Sequence, residues 1–131
     1  MRMLVAGGFV AVSILLLLSV SGDEAAAQGK EPKYTISEVM KVVHHQKKGI
    51  LGRVLKGTAE KADKDKMLEM YESLAQSKPP AGDVKNWKKR TADLVSAAKQ
   101  IQSGDPQGIT ALKTAVNCKT CHDSFKKKDD D

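Results

Sequence analysis

The two cysteines of the chain and one histidine form the motif with the clearest chemical meaning. Cys118, Cys121 and His122 are spaced as C-x-x-C-H, the pattern of c-type haem attachment. On a helix, positions i, i+3 and i+4 share one face, so both sulfurs can form thioether bonds to the haem vinyl groups while the imidazole binds the iron. The motif therefore predicts one covalently attached haem c, with His122 as an axial ligand of the iron.

Other uses of a C-x-x-C pair fit this sequence less well. A thioredoxin-like redox pair needs a βαβ context and usually lies near a helix start, whereas this pair follows a helical pattern. A structural zinc site has four ligands, and the remaining histidines, His44 and His45, are adjacent, so they would point apart on a helix. A disulfide from i to i+3 would constrain little of the chain and leaves His122 without a role.

A second iron ligand has to come from upstream of the motif, because the nine residues after His122 contain no Met, His or Cys. The upstream candidates are Met40, His44, His45, Met67 and Met70. Met40 and His44 are four residues apart on one apolar stripe, so we expect them to face the same way. We expect His45 to face solvent and the two methionines near position 70 to fill the core. For His44, a hydrogen bond to a haem propionate or a backbone carbonyl is the alternative role.

The first predicted helix carries both of these distal candidates. Thr35 and Glu38 fit the S/T-x-x-E capping box at its start, and Gly57 is suited to end it. Between them, apolar residues recur every three or four positions: Ile36, Val39, Met40, Val43, Ile50, Leu51, Val54 and Leu55. The spacing predicts one continuous helix with Met40 and His44 on its buried side.

Three further helices are predicted downstream. The second runs from about Asp63 to a break at Pro79-Pro80. The third is capped by Asp83 and ends at Gly104, and the fourth begins at Asp105-Pro106 and continues through the cysteine motif. With short joints and no credible strand, these helices predict an all-α fold: an antiparallel up-and-down four-helix bundle with C-terminal haem attachment.

The N-terminus has the layout of an export signal. Arg2 precedes an apolar stretch over residues 3–20, and a run of three alanines ends at Ala27. Two acidic residues follow the apolar stretch, where a membrane anchor more often carries a basic flank. We therefore predict a signal peptide over residues 1–27, cleaved after about Ala27, and a periplasmic domain over residues 28–131 without a transmembrane anchor.

The charge of the predicted mature chain bears on its partners. The 22 basic and 16 acidic residues of the full sequence become 21 and 14 once residues 1–27 are removed, a net charge of +7. The lysines are dispersed and lack an Arg-rich or aromatic-interleaved stretch, which argues against nucleic acid. An acidic redox partner protein, or an anionic membrane surface, fits better. The sequence leaves open whether the bundle forms a homodimer.

A family resemblance follows from these features. The export signal, the four-helix length and the C-terminal motif followed by Phe125-Lys126 resemble the class II cytochromes c, the cytochrome c-prime group, over essentially the whole mature chain. Trp87, early in the third helix, is similar to a position common in that family. Low-spin members carry a distal methionine in a Met-Lys pair well before a Lys-Gly pair, and Met40-Lys41 and Lys56-Gly57 resemble that arrangement. The resemblance implies Met40 as the sixth ligand, with His44 as the alternative.

The ligand set decides the predicted function. Two strong axial ligands leave no vacant position on the iron, so we expect an electron carrier and not an enzyme. High-spin members of the family place an apolar residue over the iron and leave it five-coordinate. The alternative function is therefore a five-coordinate haem protein that binds nitric oxide or carbon monoxide. A third interpretation is an exported helical adaptor without haem.

Overall fold

The computed structural model describes residues 31–127, so the predicted signal peptide lies outside the described residues. This part of the chain contains α-helices and no strand, as the all-α prediction requires. The helices are α1 (Ile36–Val42), α2 (Ile50–Lys56), α3 (Lys61–Gln76), α4 (Val84–Gln102), α5 (Gly108–Ala115) and α6 (Cys118–Phe125). Within residues 31–127, no helix is both long enough and apolar enough to cross a membrane.

The two long helices, α3 and α4, pack against each other, and α4 also packs against α5. α3 ends at Gln76, ahead of Pro79-Pro80, and α4 begins after Asp83, whose carboxylate accepts a hydrogen bond from the Lys85 backbone N–H at 3.0 Å. Both boundaries agree with the prediction. The core that α3 and α4 share consists of Met67, Met70, Tyr71, Leu74, Trp87, Leu94, Ala97, Ala98 and Ile101. The prediction that Met67 and Met70 fill the core is thus confirmed.

The predicted first helix is two helices. Its predicted ends are right, because Thr35 and Glu38 form the capping box and Gly57 ends α2 with a left-handed φ of 74°. Its predicted continuity is wrong, because residues 43–49 leave the helical path. Gly49 closes this break: its N–H donates to the His45 carbonyl at 2.9 Å, and a Cβ there would lie 2.4 Å from the Val43 carbonyl oxygen.

The predicted fourth helix is also two helices. α5 ends at Ala115, and α6 begins at Cys118 after a separate N-cap, Asn117, whose side chain accepts from the Thr120 backbone N–H at 3.0 Å. The predicted start at Asp105-Pro106 lies slightly early. The Asp105 carboxylate does accept a backbone hydrogen bond, from Gln107 at 2.9 Å, but the first helical residue is Gly108.

Candidate functional site

The predicted site residues line one cavity. This cavity has a volume of about 240 Å³, and Met40, His44, Cys118, Cys121 and His122 all contribute to its wall. Apolar side chains from the rest of the fold complete the wall: Leu74, Trp87, Leu94, Ala115 and Val116. The structure therefore brings together two groups of residues that lie at opposite ends of the described chain.

The cysteine motif occupies the first turns of α6. Asn117 caps this helix, so Cys118 is its first residue and Cys121 and His122 follow one turn later. Cys118 is exposed and Cys121 is half-buried, and neither forms a disulfide. Burial raises the pKa of the Cys121 thiol, although the Arg90 charge acts in the opposite direction. Both sulfurs are available for covalent chemistry on the same short helix.

The two distal candidates reach the cavity from different kinds of backbone. Met40 belongs to α1, whereas His44 lies beyond its end, in the break over residues 43–49. Met40 and His44 line the same cavity, which agrees with the expectation that they face the same way. The reason given for it, a shared face of one continuous helix, is wrong, because His44 lies outside α1. His45 is exposed as expected, and its Nδ1 accepts from the backbone N–H of Lys48 at 3.2 Å.

His44 has a partner that the sequence did not indicate. Its Nε2 lies 3.2 Å from the Tyr71 hydroxyl, and the two ring centroids are 5.7 Å apart. Burial, with a smaller contribution from the charge of His122, lowers the pKa of His44 to about 4. Burial also raises the pKa of Tyr71. At neutral pH, His44 is therefore an uncharged imidazole within hydrogen-bond distance of a protonated phenol.

α6 is held in place by aromatic packing at its C-terminal end. The rings of Phe125 and Trp87 meet edge to face with centroids 5.2 Å apart, a favoured geometry for aromatic pairs. Trp87 is itself fixed, because its Nε1 donates to the Ser77 carbonyl at 2.8 Å. Gly82, with φ of 84°, lies so close to α6 that a Cβ would be 2.2 Å from the Ser124 carbonyl oxygen. The α3–α4 joint thus contacts the helix that carries the motif.

Comparisons with protein-family models, curated proteins and solved structures found no match to this chain. The resemblance to class II cytochromes c therefore stays a prediction that rests on the residues named above.

The donor set of the cavity suits a haem. Two thiols can bond the vinyl groups, two imidazoles and one thioether are suitable axial ligands, and the walls are largely apolar. Within residues 31–127, no three His, Cys, Asp or Glu side chains converge as a cluster that could hold a metal ion. A haem iron takes its equatorial ligands from the porphyrin, so one or two axial side chains are enough to hold it.

One cavity residue, Arg90, was not predicted from the sequence. Arg90, on α4, is half-buried and lines both this cavity and a second one between α4 and α5. In the sequence, Arg90 follows Lys88-Lys89 and reads as part of a charged helix face. Arg90 is three positions after Trp87 in the sequence, so the two residues share one face of a helix. That spacing was the available indication that Arg90 lies beside Trp87 at the cavity.

Proposed function

We propose that this protein is an exported c-type cytochrome that carries electrons through one covalently attached haem c. The observation that carries the proposal is the meeting of two separate ligand groups in one cavity. The attachment motif on α6 and the distal candidates at the α1 break are far apart in sequence, yet they line the same space. A C-x-x-C-H motif that served only as a local disulfide would not need a thioether and a second imidazole in the same cavity.

The residues take distinct roles in this proposal. Haem supplies one-electron chemistry at its iron when bound. Cys118 and Cys121 would form the thioether bonds, and the His122 imidazole would ligate the iron. Met40 would supply a thioether as the second iron ligand, a soft ligand that favours ferrous iron and would give a higher potential than a second imidazole. The apolar wall, with Leu74 and Leu94, limits access of water to the haem.

The contact between His44 and Tyr71 favours Met40 over His44 as the distal ligand. An imidazole that already pairs with the Tyr71 hydroxyl through Nε2 would have to give up that contact to bind iron. Met40 has no competing polar partner, because a thioether is only a weak acceptor. We therefore assign the low-spin, six-coordinate form to this protein, within the class II cytochrome c family.

The fold and cellular setting complete the proposal. α1 with α2, and α5 with α6, would act as the two interrupted members of a four-helix bundle whose other members are α3 and α4. Cleavage after about Ala27 would release the domain into the periplasm. Three exposed lysines form no side-chain ion pair among residues 31–127: Lys119, inside the motif, and Lys85 and Lys88, on either side of the cavity residue Trp87 in sequence. They would steer an acidic redox partner, and added salt would slow that association.

The decisive test is the intact mass of the full chain expressed with a cytochrome maturation system and purified from the periplasm. We expect the mass of the cleaved polypeptide plus one haem, resistant to acid–acetone extraction. The C118S/C121S variant, expressed in parallel, should have the mass of the bare polypeptide. A wild-type product with that same bare mass would contradict the proposal.

The distal ligand needs a separate experiment on the oxidised holoprotein. We expect Met40→Ala to convert a low-spin optical and electron paramagnetic resonance spectrum to a high-spin one, whereas His44→Ala leaves the low-spin signal. The opposite pattern would assign the ligand to His44. Rapid carbon monoxide binding by the wild-type protein, with a high-spin spectrum, would favour the five-coordinate gas-binding alternative.

A further inference from the structure

The cavity contains one permanently charged side chain. Among its lining residues only Arg90 is a strong base, the histidines and cysteines being the other ionisable groups, and no carboxylate lines the wall. Arg90 is half-buried on α4, next to the buried Thr91 and one turn after Trp87. The largely apolar cavity is therefore lined by one permanent positive charge, whereas the neighbouring Lys89 is exposed and does not line it.

This guanidinium has no carboxylate partner within residues 31–127, although its charge acts on the Cys121 thiol in the same wall. It forms neither an ion pair nor a side-chain hydrogen bond there, and Asp93, one turn further along α4, does not pair with it. The other arginine in this range behaves differently. Arg53 pairs with Asp63 at 2.6 Å and donates to the Lys48 carbonyl at 2.9 Å. The fold thus satisfies one arginine and leaves the cavity arginine open to a ligand.

The planar donors of a guanidinium match a carboxylate in a two-point contact, and those of Arg90 are not used by an ion pair or a side-chain hydrogen bond within residues 31–127. Haem carries two such groups, its propionates. We propose that Arg90 is the binding site for a haem propionate and selects porphyrins with free carboxylates. This inference rests on the proposed function, because the ligand is the same haem. It adds a second attachment point, from α4, to the thioether bonds on α6.

The direct test compares haemin with haemin dimethyl ester, in which the carboxylates are blocked. Both are titrated into the full chain carrying C118S/C121S, so that binding is reversible, and the same variant is combined with R90Q, R90K or K89Q. We expect R90Q to weaken haemin binding about ten- to a hundredfold, the worth of a charge-assisted hydrogen bond, and to leave the ester unaffected. R90K should recover part of the loss. K89Q removes the same charge from the neighbouring exposed position and should change neither affinity.

A second measurement uses the covalent holoprotein with its cysteines intact. Removal of a positive charge beside the haem favours ferric iron, so R90Q should lower the midpoint potential more than K89Q does. R90K should return the potential toward that of the wild type. This readout applies even where the C118S/C121S background binds neither porphyrin.

The outcomes separate the two proposals. Equal weakening of haemin and ester by R90Q would assign Arg90 a packing role and overturn the inference. A midpoint potential that R90Q shifts no more than K89Q does would overturn it as well. In both cases haem would still be attached, so the proposed function would stand. Absence of haem from the wild-type chain would instead overturn the proposed function itself.

Discussion

The continuous helices of this molecule supply most of its core, whereas the interrupted ones carry most of the candidate haem-binding residues. α3 and α4 run unbroken for 16 and 19 residues and supply most of the buried core. The chain on either side of them breaks, over residues 43–49 and at residues 116–117. His44 lies inside the first break, and Cys118 follows the second at once. The residues that we propose to bind haem are therefore concentrated beside breaks, and the long helices contribute walls and one guanidinium.

The two breaks differ from the continuous helices in how their backbone groups are satisfied. Inside α3 and α4, one helical hydrogen bond follows another, and side-chain direction is set by the 3.6-residue period. At the breaks, individual groups take over: the Leu51 N–H donates to the Val43 carbonyl at 3.0 Å, and Asn117 caps α6. A break can therefore turn a side chain toward the cavity without disturbing the core.

The largest expected effect lies in the continuous part. Met67 is fully buried on α3 and does not line the cavity. Met67→Ala should lower the free energy of unfolding by about 2–5 kcal/mol, through lost burial and a residual cavity. Met67→Leu conserves volume and should cost less than about 1.5 kcal/mol. Urea denaturation followed by far-UV circular dichroism measures both. If Met67→Ala changed the haem spectrum of the holoprotein at urea concentrations below its unfolding transition, the proposal that Met67 serves the core and not the haem site would be wrong.

A matched pair of glycines tests how the α3–α4 joint supports α6. Gly82 and Gly104 have φ of 84° and 81°, so alanine is strained at both positions. A Cβ at Gly104 would meet nothing within 4 Å, whereas one at Gly82 would meet the Ser124 carbonyl and the Phe125 ring. We expect Gly104→Ala to cost about 1–2 kcal/mol and Gly82→Ala roughly 3 kcal/mol.

The spectroscopic consequence should also differ between the two variants. Gly82→Ala should displace α6 and broaden the haem optical and resonance signals, whereas Gly104→Ala should leave them intact. Equal losses of stability with unchanged spectra would mean that the joint does not support the motif.

The sequence predicted the continuous helices better than the breaks, and the reason is physical. Val43 and Ile50 are both buried and seven residues apart, so the apolar period passes through the first break unchanged. Gly49 alone marks it, and one glycine inside a helical pattern is a weak indicator. Arg90 as a cavity residue and Tyr71 as the partner of His44 were not predicted, because both roles depend on tertiary placement. The C-x-x-C-H motif was recognisable because its chemistry is local, within five residues.

Asn117 offers a smaller and more local perturbation. Its side chain caps α6, and loss of an N-cap costs about 1 kcal/mol. Asn117→Ala should increase amide hydrogen exchange within α6 while exchange in α3 and α4 stays near that of the wild type. Asn117→Asp retains the acceptor and should restore protection. Faster exchange across all helices would show that α6 and the core unfold as one unit, and that α6 is not separable from the continuous helices α3 and α4.

The smallest expected effect concerns acid stability, and it belongs to α3. Every ion pair found within residues 31–127 takes its carboxylate from this helix. Hydrogen bonds from Arg53, Lys61 and Lys33 lower the pKa values of Asp63, Asp65 and Glu69 respectively. The unfolded chain therefore binds protons more readily than the folded one. These pairs stabilise the fold above the ordinary carboxyl pKa, near 4. That contribution is lost as the pH falls through the lowered pKa values.

These pairs are partly or largely exposed, so salt should screen them and their contribution should be modest. Urea midpoints measured between about pH 6 and pH 3 should fall with acidity, and the slope should be shallower in Asp63→Asn than in the wild type. Asp93→Asn, on the exposed face of α4 and without an ion pair in the described range, is the matched control and should retain the wild-type slope. If Asp93→Asn flattened the profile as much as Asp63→Asn, net charge and not the α3 ion pairs would govern acid unfolding.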